Sequence, residues 1–321
     1  MFRQLKLKLF CNPGVPMAWQ SVDNYCALLA PQTCKHYCGA LRDLCKFLMV
    51  PHRSKQAADK LLKLTTKEAG AYLAAYKKTG VSEGTFIQRF SKLHVVYKLW
   101  VQNGLINQNP FDPIQSTIKY SNYEQVRPTQ YIGAEQIKLI LDKPSSKTKE
   151  GVRDRALLAL LFGTGARVNE VLSLELQSLR QYDSHILYVH FAKTKTKKPR
   201  DVALAEQFKP KIMALIRQRQ SEGAAVDDKL FSCYIGRKGR PTGQMKYHKA
   251  RKIFLNYTGL PPHTARASVA TKLLKDIRHG EIQATKDDVQ AMLGHTSERM
   301  TNIYNKRIEN IEESAGKLVK Y

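Results

Sequence analysis

Apolar residues in the first third of the chain recur at intervals of three and four. From Ser82 to Gln102 they fall at Phe86, Phe90, Leu93, Val96/Tyr97 and Trp100/Val101, which is one face of a helix. Asn103-Gly104 supplies a natural stop. Upstream, Thr65-Thr66-Lys67-Glu68 reads as a capping box opening a helix toward Lys78. The pattern breaks at QNPFDPI, Gln108–Ile114, whose prolines mark a turn. Residues 116–131 are polar and aperiodic, which suits an interdomain linker.

Helical patterning resumes over Gly133–Asp142 and Val152–Phe162, the second read as amphipathic. His185–Phe191 is β-branched and aromatic, and Asp201–Leu204 follows a short basic turn, so the pair predicts a β-hairpin. Helices are predicted again over Ala205–Arg219, Lys246–Tyr257 and Thr264–Lys275. The fold class read from this order is mainly α with a small antiparallel β-sheet (α+β), in a helical first domain and a mixed second one. No internal repeat or low-complexity tract interrupts it.

At 321 residues the chain can build two cores. Its 53 Lys+Arg against 27 Asp+Glu give a formal charge of +26, an excess that favours a polyanionic partner, nucleic acid first. A ribosomal-type or membrane-surface protein is the competing reading of charge alone. The six cysteines, at 11, 26, 34, 38, 45 and 233, form no disulfide framework in a chain of this size. Cys34, Cys38 and Cys45 share a helical face with Leu41, Leu44 and Leu48 and are expected as reduced core thiols. No Cys/His pair has zinc spacing, so no metal is expected. Lys6, Lys8 and Pro13 interrupt the N-terminal apolar residues, so a signal peptide is not expected. No apolar run is long enough to span a membrane.

Four stretches carry candidate chemistry. In GTGARVNEVLSL, Gly163–Leu174, Val168 stands where a dinucleotide loop needs its third glycine, so that reading fails. What remains is Arg167 at a helix start with Glu170 one turn on, by itself no more than a surface ion pair. Lys193, Lys195, Lys197, Lys198 and Arg200 crowd the hairpin turn and suit phosphate-backbone contact, or simply a solvated loop. In PPHTARASVATKLL, Pro261–Leu274, His263 and Arg266 project to one side of a helix N-terminus, itself an anion-binding element. In LGHTSERMTNIYNK, Leu293–Lys306, Tyr304 lies nine residues after His295.

Taken in order, these boxes resemble the catalytic domain of the tyrosine recombinases, the phage-integrase and Xer-like family. GTGARVNEVLSL matches the first arginine box, KTKKPRDVAL the hairpin, HTARASVATKLL the second box and LGHTSERMTNIY the last. The resemblance covers residues 132–306 well and extends more loosely upstream. Two departures stand out: Ala267 replaces a frequent second histidine, and Arg266 to His295 is long, suggesting an inserted loop around Arg278–Lys286.

The resemblance implies a C-shaped clamp on DNA: residues 1–115 a helical, SAM-like core-binding domain, 116–131 the linker, 132–306 the catalytic domain, and 307–321 a tail helix for protomer contacts. It implies a site-specific recombinase working through a 3′-phosphotyrosyl bond on Tyr304. A phosphodiester repels nucleophiles, so the site must bring positive charge to the transition state. Planar guanidinium groups do this in fixed geometry, which fits Arg167 and Arg266. By resemblance Lys195, or alternatively Lys193, protonates the leaving 5′ oxygen. His263 manages the tyrosine proton, His295 bonds the phosphate and Glu170 braces the arginines, while Lys193, Lys197, Lys198 and Arg200 contact DNA. A helix from Ser297 to Tyr304 spans roughly 12 Å, so His295 and Tyr304 need not touch.

No cofactor, metal or ATP is expected, because protein cations replace the metal and the phosphotyrosine conserves the bond energy. The implied partners are a double-stranded recombination site and further copies of the chain, from dimer to tetrameric synapse. There is room for accessory DNA-bending or directionality proteins, and no membrane partner. A cytoplasmic, nucleoid-associated location follows. A separate arm-binding domain is not expected, since few residues precede the first helical segment. The tail carries Ile308, Ile311, Ala315 and Leu318/Val319 as one apolar stripe, expected to pack at home or on a neighbouring protomer. The rival functions are a type IB topoisomerase, a non-enzymatic DNA-binding protein on the same fold, and an RNA-binding protein; the last lacks an RNP-type aromatic strand.

Overall fold

The structure is a computed structural model that describes residues 14–118, 130–182, 186–192, 194, 198–235, 239–295, 297, 298, 301, 302 and 304. The chain divides into two compact units, Met1–Gln125 and Val126–Tyr321. Lys193, Lys195, Lys197, most of the predicted linker and the tail 307–321 lie outside the described residues.

The first unit contains α1 (Met17–Ala27), α2 (Pro31–Phe47), α3 (Lys55–Leu62), α4 (Thr66–Lys78), α5 (Glu83–Gln102) and the short α6 (Asp112–Gln115). Side-chain caps start three of them: Ser54 accepts from the Ala57 amide, Thr65 forms the predicted reciprocal box with Glu68, and Ser82 accepts from the Thr85 amide. Each satisfies a donor that the first helical turn leaves free. Trp19, Phe90, Tyr97, Trp100 and Phe111 fill the core. Their polar tips find backbone carbonyls, Trp100 at Ala18 (3.1 Å) and Tyr97 at Leu61 (2.9 Å), so the rings are buried without stranding a donor.

The second unit is organised around α8 (Lys149–Thr164), between α7 (Ala134–Asp142) and α9 (Val168–Ser173). The helix is not amphipathic as expected. Every residue from Ala156 to Phe162 is buried, because other elements cover it on all sides. The predicted hairpin is β2 (Leu187–Phe191) with β3 (Arg200–Ala203), but the short strand β1 (Leu179–Gln181) joins it in an antiparallel sheet ordered β1-β2-β3. A second pair, β4 (Ser232–Ile235) with β5 (Arg240–Gln244), was not foreseen. β5 reads RPTGQ, exposed throughout and without apolar alternation. The remaining helices are α10 (Lys209–Ser221), α11 (Tyr247–Thr258), α12 (His263–Arg278) and α13 (Lys286–Leu293). Residues 279–285 connect the last two, where the sequence suggested an inserted loop. No helix among the described residues is long and apolar enough to cross a membrane.

Candidate active site

Three helix ends deliver the candidate residues. α8 stops at Gly165, whose φ of +61° caps the helix in the left-handed region. Two residues later Arg167 caps α9. A Cβ at Gly165 would lie 2.6 Å from Leu293 Cδ2, so glycine is required by both the turn and the packing. Gly294 ends α13 in the same conformation (φ +66°), and a Cβ there would come 3.1 Å from Arg200 Nη1. The glycines of GTGAR and LGH therefore serve one junction.

Glu170 lies at the centre of a hydrogen-bond network. Arg167 donates to it twice, from its backbone amide to Oε2 (3.0 Å) and from Nη1 to Oε1 (2.9 Å). Arg200 Nη2 donates to Oε2 at 2.8 Å. Burial favours the neutral acid, but the bonds from Arg200 and the Arg167 backbone outweigh it and hold the carboxyl below its ordinary value. Glu170 is thus a buried carboxylate, not half of a surface pair.

Arg266 is only 2% exposed. Its Nη1 donates to the Gly165 carbonyl at 3.0 Å, while its buried Nη2 has no hydrogen-bond partner among the described residues. Burial, then the charge of Arg167, lowers the guanidinium to about 10. It remains a cation at neutral pH. A buried charge left this way costs stability unless an anion completes it.

His263, the first residue of α12, is exposed to solvent yet partly desolvated. That partial desolvation, then Arg266 and Arg167, lowers its pKa. His295 is 8% exposed and is pushed down to about 4 by burial, Arg266, Arg167, His263 and Arg200. Its Nδ1 pairs with the buried Thr301 hydroxyl at 2.9 Å. Both histidines are neutral at pH 7.

Tyr304 packs with Ala267, Val269, Ala270, Leu274, Val289 and Leu293. Burial raises its phenol above the ordinary value, against the opposing pull of Arg266 and Arg167. Its ring lies nearly parallel to His295, at 14° and 6.2 Å between centroids. Helix length alone did not require the two to touch; in the structure their rings face each other.

Arg167, Glu170, His263, Arg266, His295 and Tyr304 thus converge in one electrostatic neighbourhood. Lys198 is exposed, and its carbonyl accepts from the Thr194 hydroxyl at 2.7 Å. Arg200, expected among the DNA contacts, is turned inward. Its Nε donates to the Met292 carbonyl at 2.9 Å, and the guanidinium lies 4.6 Å from the centre of the Phe191 ring. The signal was in the strand alternation: Arg200 and the buried Val202 share a face of β3, while Asp201 and Ala203 are exposed. Thr301 was missed because a threonine in a polar segment carries no signal until the histidine it meets is placed.

The family model described as "Phage integrase family" matches residues 130–310, and the chain belongs to that family. Among curated relatives, the tyrosine recombinase XerC of Chlamydia muridarum is 28% identical over 262 residues, covering 80% of this chain and 78% of that protein. XerC of Chlamydia trachomatis serovar L2 is 27% identical over 237 residues, covering 73% and 70%. A crystal structure of the site-specific recombinase XerH bound to palindromic difH substrate, a post-cleavage complex, has a similar fold. Its TM-score is 0.66 at 20% identity, with 92% of this chain and 84% of that one covered.

Proposed function

We propose that this protein is a tyrosine-type site-specific DNA recombinase that cleaves and rejoins strands through a 3′-phosphotyrosyl bond on Tyr304. The observation that carries this reading is Arg266, a buried cation with a donor unpartnered among the described residues, beside a second arginine, two neutral histidines and a tyrosine. Such a constellation suits a phosphodiester better than a neutral substrate, since the incoming anion supplies the missing partner.

In this reading Arg167 and Arg266 bind the non-bridging oxygens and offset the charge that grows on them. Tyr304 rests as a neutral phenol and attacks as its proton leaves, with neutral His263 as acceptor. The phosphorus–oxygen bond to the 5′ carbon breaks as the bond to Tyr304 forms, and Lys195 protonates the departing oxygen. His295 hydrogen-bonds the phosphate, oriented by Thr301. Reversal with another strand's 5′ hydroxyl completes exchange. The partner is a double-stranded recombination site, occupied by more than one copy of the chain, and accessory proteins belong to the same proposal.

The test is a denaturant-resistant adduct. The protein is incubated with fragmented duplex DNA, the covalently held fragments are sequenced, and the modified peptide is mapped. An adduct on Tyr304 with a recurring sequence is expected; no adduct, or one elsewhere, overturns the reading. Two plasmids carrying the captured sequence should then exchange strands. Relaxation of supercoils without exchange would mean topoisomerase-like chemistry instead.

A further inference from the structure

Cys26 is the penultimate residue of α1 and Cys34 and Cys38 lie one turn apart on α2, yet their three sulfurs all fall within 4.8 Å of one another. We propose that these thiols bind one soft d10 cation, Zn2+ or Cu+, that staples α1 to α2 in the first unit. No part of the recombination chemistry uses this cluster.

Geometry and ligand type both favour such an ion. Zinc–thiolate bonds of about 2.3 Å in a tetrahedral site set sulfurs roughly 3.8 Å apart. Cys34 Sγ and Cys38 Sγ are 3.8 Å apart, so this edge needs no rearrangement. Cys26 closes the triangle by a small side-chain rotation. An all-sulfur set excludes hard cations such as Mg2+ and Ca2+, which take oxygen ligands. Cys26 is buried and the other two are partly exposed, so the cluster is open on one side. The ion enters there, and a water completes a four-coordinate zinc site, whereas Cu+ is satisfied by the three sulfurs.

Binding replaces three S–H bonds with three metal–sulfur bonds and releases three protons. Three thiolates around Zn2+ leave one negative charge. The Arg53 guanidinium beside Cys38 faces that charge, and Asp23 holds it there through a two-point hydrogen bond. Sequence did not reveal the site, because Cys34-x-x-x-Cys38 by itself offers only two ligands and the α1–α2 turn brings in Cys26. Cys45 lies further along α2 but is fully buried and outside the cluster.

The full-length protein, reduced and metal-free, is titrated with Co2+ as a spectroscopic stand-in for Zn2+. One equivalent should develop a sulfur-to-cobalt charge-transfer band that Zn2+ then removes. Competition for Cu+ against a coloured chelator decides which ion is held more tightly. Cys34→Ser and Cys38→Ser should each lose the band while retaining wild-type helicity by circular dichroism. The Cys45→Ser/Cys233→Ser double variant should keep it. Absence of stoichiometric uptake by the wild type of both Co2+ and Cu+ overturns the proposal, whatever the variants do. A band that survives in both single variants overturns it as well.

Discussion

Arg200 donates a 2.8 Å hydrogen bond to Glu170, the carboxylate that also holds Arg167, while its Nε grips the Met292 carbonyl two residues before Gly294. One guanidinium thus joins the first arginine box to the end of α13, from which His295 follows. Arg200→Lys keeps the charge but cannot span both acceptors. The loss of a charged hydrogen bond in a buried network is expected to cost roughly 2–3 kcal/mol. Misplacement of Arg167 and His295 should slow strand cleavage about a hundredfold. Thermal denaturation and single-turnover cleavage check both, with DNA affinity at fixed salt expected to change little.

Tyr304→Phe removes only the phenolic oxygen and leaves the ring in its apolar contacts. The variant is expected to melt near the wild type and to bind DNA normally, yet to form no covalent adduct. Gel shift and denaturing electrophoresis on the same samples measure the two outcomes. An adduct of normal yield removes Tyr304 from the role of nucleophile.

Lys195 is proposed to protonate the leaving oxygen. Lys195→Ala should therefore slow cleavage of ordinary DNA and recover on a substrate with sulfur at the 5′ bridging position, because a thiolate leaves without a proton. If Lys193→Ala shows the rescue instead, the acid lies two residues earlier in the hairpin.

Acid should weaken the DNA-free fold in a defined window. His295 has a folded-state pKa of about 4 against an ordinary 6.5, so between these values the unfolded chain binds a proton that the folded chain refuses. Stability then falls as pH drops from about 6.5 toward 4, by on the order of 3 kcal/mol in total. Chemical denaturation across this range should show a shallower slope for His295→Gln. Bound DNA should shrink the wild-type slope, since a phosphate favours the protonated ring.

The tail beyond Arg307 is proposed to dock on a neighbouring protomer through its apolar stripe, since so short a helix is marginal alone. A chain ending at Arg307 should still bind one half-site but lose cooperative filling of two. Gel-shift titrations on both DNAs decide it: unchanged cooperativity means that the tail packs on its own domain.

Local chemistry made much of this protein legible from residues alone. The capping box at Thr65 and the stop at Asn103-Gly104 depend on neighbours a few positions away, so they read directly as boundaries of α4 and α5. The four boxes and their order were equally visible, since each is a short run. The β4–β5 pair was not, because a strand such as RPTGQ is made by its partner's hydrogen bonds rather than by its own pattern. Burial on all sides of α8 was decided by its neighbours too. The pairing of Arg200 with Glu170, the stacking of His295 on Tyr304 and the meeting of Cys26 with Cys34 and Cys38 all join residues from different parts of the fold. Sequence distance says nothing about such pairs: they exist only once the packed core has chosen which helix ends face each other.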